Sequence, residues 1–210
     1  MELMDAIKAR RSIRRYKPDP ISKETILKIL ELANLAPTAG NTQPWEFLVL
    51  HRSVLDQLAG IFEMAMDDRI KVLTENGMRE RLKDLPIPVD ELGDKVKGLK
   101  KFCRLLGQAP VAIIVYADKP EDPWAYKNIV EDVSAAFENL VLAALDEGLG
   151  TCWMTGPLQK GEEGIKKFLG LSEAQEIIAM TPLGIPAQIP SMPPKKDIRS
   201  KIRWLGFEDR

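Results

Sequence analysis

The segment that most constrains the fold is residues 110–117, where the sequence is an almost uninterrupted apolar run. A run of this kind is typical of an interior strand that is covered on both of its faces. It is about half as long as a membrane-spanning helix, which needs about 20 consecutive apolar residues. The segment therefore predicts a buried strand in a sheet that has helices on both sides.

Helical and extended patterns alternate along the rest of the chain. Apolar residues at helical spacing predict helices over residues 2–9, 23–35, 53–66, 129–147 and 162–169. Further strands are predicted at residues 45–50, 151–154 and 176–182. These elements indicate an α+β fold with a mixed sheet in a single domain over residues 1–210.

Two segments differ in composition from the predicted core. Residues 67–101 are strongly polar and are expected to form a helical excursion, either as a solvated surface or as a lid over a pocket. Residues 184–210 are rich in proline and basic residues, which predicts a C-terminal arm that lies along another surface.

The inventory of charged and metal-binding residues excludes several classes of function. The net charge is −1, which argues against broad capture of nucleic acid or of an anionic membrane. One histidine (His51) and two cysteines (Cys103 and Cys152) are too few for a His/Cys zinc site or a disulfide framework, so no metal is predicted. Two cysteines without an evident partner and an acidic N-terminus without a signal peptide predict a cytoplasmic protein.

A basic cluster at residues 10–15 is the first candidate site. Arginine can hold phosphate oxygens through two parallel hydrogen bonds, and Ser12 adds a hydroxyl donor. Taken alone, the cluster is better explained as the solvated basic end of a helix, where positive charge complements the helix dipole. A module that binds RNA or a phosphopeptide is a further alternative, and the near-neutral net charge counts against it.

Two later segments would let the backbone approach a flat ligand. The loop at residues 37–44 places polar side chains among proline, alanine and glycine, although ordinary turns have the same composition. Residues 148–156 resemble a phosphate loop only superficially, because the dinucleotide fingerprint and the Lys-Ser/Thr ending of a P-loop are both absent. Their pattern favours a strand edge whose backbone amides face a ring system.

The order of these motifs resembles that of the nitroreductase family, which consists of FMN-dependent NAD(P)H oxidoreductases. The motifs are RRSIR at 10–14, PTAGNTQPW at 37–45, GLGTCWMTG at 148–156 and Arg199 in the basic tail. The similarity spans residues 2–61 and 109–203. It implies the nitroreductase FMN fold, with a mainly antiparallel sheet and a domain-exchanged homodimer that has two active sites at its interface.

The resemblance also implies roles for individual residues. The residues expected to hold the phosphate and ribityl chain of FMN are Arg10, Arg11, Ser12 and Arg14, with Arg14 or its neighbours near the pyrimidine end of the flavin. Those expected to close the phosphate site from the tail are Lys196 and Arg199. Those expected to reach the flavin from the partner subunit are Pro37, Thr38, Ala39 and Asn41. Those expected to lie against the isoalloxazine near N5 are Met154, Thr155 and Gly156.

The implied activity is a ping-pong transfer of hydride from NADH or NADPH, through flavin N5, to a small acceptor such as a nitroaromatic compound or a quinone. This chemistry needs no acid or base side chain for the hydride step, so no catalytic side chain is predicted. The alternative is a flavin-binding relative of the same fold with different redox chemistry or a non-catalytic role in ligand binding.

Overall fold

The structure, a computed structural model, describes residues 1–75 and 92–207. Its helices are α1 (Leu3–Ala9), α2 (Lys23–Ala33), α3 (Arg52–Glu75), α4 (Leu92–Leu105), α5 (Pro123–Asp146) and α6 (Gly156–Leu169). Its strands are β1 (Glu46–His51), β2 (Val111–Asp118), β3 (Gly150–Thr151) and β4 (Gln175–Gly184). Short 3-10 turns lie at Ala39–Asn41, Leu106–Gln108 and Ile198–Lys201.

The strands form one antiparallel sheet in the order β1-β2-β4-β3. Strand β2 is buried along its length except at its last residue, as the apolar run predicts. Its successive side chains enter different cores because side chains alternate across a strand. Ile114 joins one buried cluster and Ile113 joins the other. The α+β class and the mainly antiparallel sheet are confirmed.

Helices cover both faces of this sheet. On one face, the core contains Ile29 from α2 and Phe137 from α5. On the other face, it contains Phe62 from α3, Phe102 from α4 and Ile165 from α6. The result is a three-layer arrangement in which β2 is shielded from water on both sides.

Capping residues explain why one predicted helix start is confirmed and another lies earlier in the chain than predicted. Ser22 starts α2 as predicted, because its hydroxyl accepts a hydrogen bond from the Thr25 amide at 3.1 Å. Helix α5 begins well before residue 129, because Asp122 accepts from the Ala125 amide at 2.7 Å and proline suits the first helical turn. The strand predicted at 151–154 is wrong beyond its first residue, since β3 ends there.

The structure describes part of the polar segment at residues 67–101 and most of the C-terminal arm at residues 184–210. Residues 67–75 complete α3 and residues 92–101 belong to α4, whereas residues 76–91 of the predicted excursion lie outside the described residues. The arm is exposed from residue 187 to residue 207 and contains a single short 3-10 turn. Within residues 1–75 and 92–207, no helix is long and apolar enough to cross a membrane.

Candidate active site

A cavity of about 570 Å³ lies between the N-terminal basic cluster and the C-terminal arm, and we call it the arginine cavity. One side is formed by Arg10, Arg11, Ser12 and Arg14. The other side is formed by residues 190–193 and Lys195, with Ile7 and Glu138 completing the wall. Its volume lies in the range of about 300–1,000 Å³ that is usual for small-molecule sites.

The local backbone explains why the arginines gather there. Helix α1 ends at Ala9, and the chain then extends beside β3, where Ser12 pairs with Thr151 and the Ile13 amide donates to the Thr151 carbonyl at 2.8 Å. A Cβ atom at Gly150 would lie 2.7 Å from the Ile13 side chain. Glycine at position 150 therefore lets the basic segment lie directly against the sheet.

The arginine side chains in this cavity have different partners. The Arg11 guanidinium donates to the carbonyls of Lys8 and Arg10 at 2.6 and 2.7 Å, which satisfies acceptors at the end of α1. The Arg10 Nε atom lies 3.9 Å from Glu138 Oε1 on helix α5. Arginine donors that are not used in these contacts remain available to an anion in the cavity.

A second cavity of about 190 Å³ adjoins the first, and we call it the inner cavity. It includes all three residues predicted to face the flavin ring, and Arg14 borders both cavities. Its lining residues are Arg14, Met66, Leu99, Phe102, Cys103, Cys152, Trp153, Met154, Thr155, Gly156 and Pro157. The structure therefore brings together two motifs that are about 140 residues apart in the sequence.

The inner cavity has a positive electrostatic character. Among the described residues that line it none is acidic, and the Arg14 guanidinium lies 6.0 Å from the centre of the Phe102 ring. Helix α6 begins at Gly156 with no side-chain cap, so its positive dipole end lies at the cavity. Burial raises the pKa of the Cys152 thiol, outweighing Arg14 and Ser12, which keeps this thiol neutral.

The loop predicted to reach the flavin from a partner subunit lines neither of these cavities. It lies against α5, where the Ala39 amide donates to both carboxylate oxygens of Asp132, at 3.2 and 3.3 Å. Asn41 and Gln43 have φ angles of 56° and 46°, in the left-handed region that non-glycine residues rarely adopt. Within one chain, then, residues 37–41 do not share a cavity lining with Arg10, Arg11 or Arg14.

The tail residues are placed differently from what was expected. Lys195, not Lys196 or Arg199, forms the arm's basic contribution to the arginine cavity. Lys196 and Arg199 are exposed, and the Arg199 amide donates to the Asp197 carboxylate at 3.0 Å. The roles predicted for Lys196 and Arg199 therefore remain predictions.

Sequence reasoning missed the wall of the inner cavity that comes from α3 and α4. Leu99, Phe102 and Cys103 follow the i, i+3, i+4 spacing of an apolar helix face inside a polar segment, a signal that could have found them. Exposed ion pairs join the two helices, because Lys100 lies 2.8 Å from Asp67 and 3.6 Å from Glu63.

The family model described as "Nitroreductase family" matches residues 7–185. The chain belongs to the nitroreductase family. It is 33% identical over 186 residues to a provisionally named NADH dehydrogenase/NAD(P)H nitroreductase from Archaeoglobus fulgidus, covering 88% of this chain and 86% of that protein. Membership of this family makes the chain a nitroreductase-family oxidoreductase.

Solved structures of similar fold cover almost all of this chain. A BluB-like flavoprotein from Clostridium difficile 630 is 26% identical with a TM-score of 0.72, covering 98% of this chain and 99% of that one. An FMN and NADPH-dependent nitroreductase from Sphigopyxis sp. strain HMH is 20% identical with a TM-score of 0.77, covering 99% of this chain and 100% of that one. No group of three or more potential metal ligands occurs in the part of the chain that the structure describes.

Proposed function

We propose that this nitroreductase is an FMN-dependent NAD(P)H oxidoreductase that reduces a small acceptor such as a nitroaromatic compound or a quinone. When bound, FMN would supply the flavin ring that takes hydride from the nicotinamide and passes it to the acceptor. The observation that carries the proposal is the position of Arg14, which borders both the arginine cavity and the inner cavity. The similar solved flavoproteins support the choice of cofactor.

The donors in the arginine cavity suit a phosphate group. Arg10, Arg11 and Lys195 supply positive charge and Ser12 supplies a hydroxyl, all in the lining of one cavity. Charged donors form stronger and shorter hydrogen bonds to phosphate oxygens than neutral donors do. These side chains would therefore hold the phosphate end of the cofactor and fix its direction in the site.

Residues of the inner cavity suit the ring end of the cofactor. Arg14 and the N-terminus of α6 provide fixed positive charge where reduction of a flavin would leave negative charge. Leu99 and Phe102 form apolar walls that exclude water and so strengthen this electrostatic effect. A neutral Cys152 adds no opposing charge.

Several observations support a homodimer in which the partner completes the site. The inner cavity, at about 190 Å³, is smaller than most ligand pockets, which are about 300 Å³ or more. The loop at residues 37–41 lies outside both cavities of its own chain. Large apolar side chains on α1 and along the arm are exposed, among them Leu3, Ile7 and Trp204. Exposed apolar surface of this kind is typical of protein interfaces.

A groove on the same molecule could receive the arm of a second copy. It has a volume of about 440 Å³ and lies between α2 and the edge strand β1, with Ile26, Leu27 and Val49 in its lining. Trp204, Leu205 and Phe207 of the arm are exposed apolar side chains that would fill such a groove. The proposed dimer therefore exchanges arms between its subunits.

The first experiment tests cofactor and activity together. The purified protein should show flavin absorbance, and the flavin released by heat should be FMN. Anaerobic addition of NADH or NADPH should bleach the absorbance, and 4-nitrobenzoate or menadione should restore it. A protein that neither contains nor binds FMN would refute the proposal, and flavin that resists both nicotinamides would favour the non-catalytic alternative.

A matched pair of variants tests the site itself. Arg14→Ala should weaken FMN binding about tenfold or more, because a hydrogen bond from a charged group is worth about 1.5–3 kcal/mol. Arg15→Ala removes an adjacent exposed guanidinium that lines neither cavity, so FMN binding should be retained. Equal retention of FMN in the two variants would show that the phosphate and ring sites are wrongly placed.

The mass in solution tests the dimer. Sedimentation equilibrium of the FMN-bound protein should give twice the chain mass of 23.6 kDa. A monomer that retains FMN with full affinity would contradict the contribution of residues 37–41 from a partner.

A further inference from the structure

A turn that lies outside both cavities has an unusual backbone. Leu106, Gly107 and Gln108 have φ angles of 49°, 63° and 66°, so three successive residues occupy the left-handed region. Two of them are not glycine, and Leu106 is fully buried. Such a conformation is unfavourable for residues with a Cβ atom and persists only when its surroundings hold it in place.

Arg52, at the start of α3, holds the turn from both ends. Its guanidinium donates to the Leu105 carbonyl at 2.8 Å and to the Ala109 carbonyl at 3.4 Å, the two residues that flank the turn. Asp56 accepts from the same guanidinium at 2.6 and 2.8 Å, which fixes its orientation. The left-handed turn is thus held by a charged side chain that is itself held by a carboxylate.

The held turn is pressed against the backbone of Arg14. A Cβ atom at Gly107 would lie only 2.4 Å from the Arg14 carbonyl oxygen. On the same side, the Tyr16 amide donates to the Gly107 carbonyl at 3.0 Å. Gly107 therefore both permits the left-handed turn and lets it fix the chain from the Arg14 carbonyl to the Tyr16 amide.

We propose that Arg52 and Gly107 are positioning residues, which use the left-handed turn to set the location of the Arg14 guanidinium in the flavin site. The inference rests on the proposed function, because the position of Arg14 is expected to affect the binding and the potential of FMN. Helix α4 runs directly into the turn, so Arg14 and Phe102, whose ring centre lies 6.0 Å from the Arg14 guanidinium, share one backbone support. Neither Arg52 nor Gly107 lines either of the two cavities.

The main test compares two glycine variants that carry the same backbone penalty. Gly107→Ala introduces a Cβ at φ 63° and against the Arg14 carbonyl, whereas Gly170→Ala introduces one at φ 72° with nothing within 4 Å. FMN affinity is measured by titrating the apoprotein with FMN and following flavin fluorescence. Gly107→Ala should weaken binding about tenfold or more, while Gly170→Ala should stay within about threefold of the wild type.

The midpoint potential of the bound flavin provides a readout that a general loss of stability would not move. Positive charge beside the pyrimidine end stabilises reduced flavin, so displacing Arg14 should make the potential more negative. Gly107→Ala should shift the potential in that direction and Gly170→Ala should not. In an Arg14→Ala background, Gly107→Ala should cause no further shift, because the group that it displaces is gone.

Variants at Arg52 keep the proposal testable if Gly107→Ala does not fold. Arg52→Gln removes the two-ended contact without adding an atom near Arg14, and it should weaken FMN binding and lower the potential in the same direction. Arg52→Lys retains the charge and one point of contact and should recover part of both effects.

The outcomes separate this inference from the proposed function. Wild-type protein that fails to bind FMN overturns both. Wild-type protein that binds FMN, together with Gly107→Ala and Arg52→Gln variants that match Gly170→Ala in affinity and potential, overturns the positioning role alone. A Gly107→Ala effect that adds fully to that of Arg14→Ala also overturns it.

Discussion

Asp132 offers a sharp test of how the loop at residues 37–41 is held. Its side chain lies on α5 and is 9% exposed, and both of its oxygens accept from the Ala39 amide, at 3.2 and 3.3 Å. The Asp132→Ala substitution removes the acceptor, so the Ala39 amide can hydrogen-bond only with water. We expect it to loosen the loop without disturbing either cavity of the same chain.

The expected losses follow from these contacts. A hydrogen bond to a charged group contributes about 1.5–3 kcal/mol, but Ala39 is exposed and its amide can be hydrated, so we expect about 1–1.5 kcal/mol of lost stability. Asn41 and Gln43 hold left-handed conformations that cost about 1 kcal/mol or more each. A relaxed loop must be restored to this form when FMN binds, and a cost of about 1–1.5 kcal/mol corresponds to about 5–13-fold weaker binding.

The assay pairs urea unfolding with titration of the apoprotein by FMN. Asp122→Ala is the matched control, because Asp122 caps the same helix and its carboxylate also accepts from a single backbone amide, that of Ala125 at 2.7 Å. Loss of this N-cap should cost about 0.5–2 kcal/mol of stability and leave FMN affinity unchanged. If both variants lose similar stability and neither loses FMN affinity, the loop does not act on the cofactor as we have argued.

Three further predictions concern stability and ionisation. Phe137→Ala should lower the free energy of unfolding by about 3–5 kcal/mol in urea, because this ring is fully buried. Burial raises the pKa of Tyr16, the hydrogen bond to Glu46 raises that of Tyr116 to about 12, and burial with the hydrogen bond to Glu176 raises that of Tyr126 to about 12. Absorbance at 295 nm should therefore show no tyrosine ionising near its ordinary pKa of about 10. The raised pKa of Cys152 means that its thiol loses a proton at lower pH in the unfolded chain than in the folded one, so the free energy of unfolding should fall as pH rises above about 8.5. The Cys152→Ala variant should show a smaller decrease in urea midpoint between pH 8 and pH 10. The same decrease in urea midpoint with pH in Cys152→Ala and in the wild type would contradict the raised pKa of Cys152.

Local patterns were sufficient to predict most of the fold. The apolar run at β2 and the N-cap at Ser22 each act within a few residues, so the sequence predicts them well. The start of α5 was missed although Asp122 and Pro123 are a local capping signal, whereas the short length of β3 was missed because it depends on pairing with β4. Tertiary contacts of that kind leave no periodic signal in the chain.

The candidate site was predictable in part for a similar physical reason. Motif order pointed to Arg14 and to residues 154–156, and the structure places them around one cavity. Asp132 and Arg52 could not have been singled out, because their importance comes from contacts with residues 39 and 105–109, distant in sequence. Nothing in the sequence alone distinguishes such charges from ordinary surface residues.

Two kinds of interaction hold the residues that line the inner cavity. Backbone hydrogen bonds and close glycine contacts fix the side that carries Arg14. The wall residues on α3 and α4 are joined in addition by ion pairs at Lys100, which are partly exposed and therefore weakened by dissolved salt. Substitutions along these two helices should therefore alter the shape of the cavity, and with it the acceptor of the proposed reaction, while leaving the backbone around Arg14 in place.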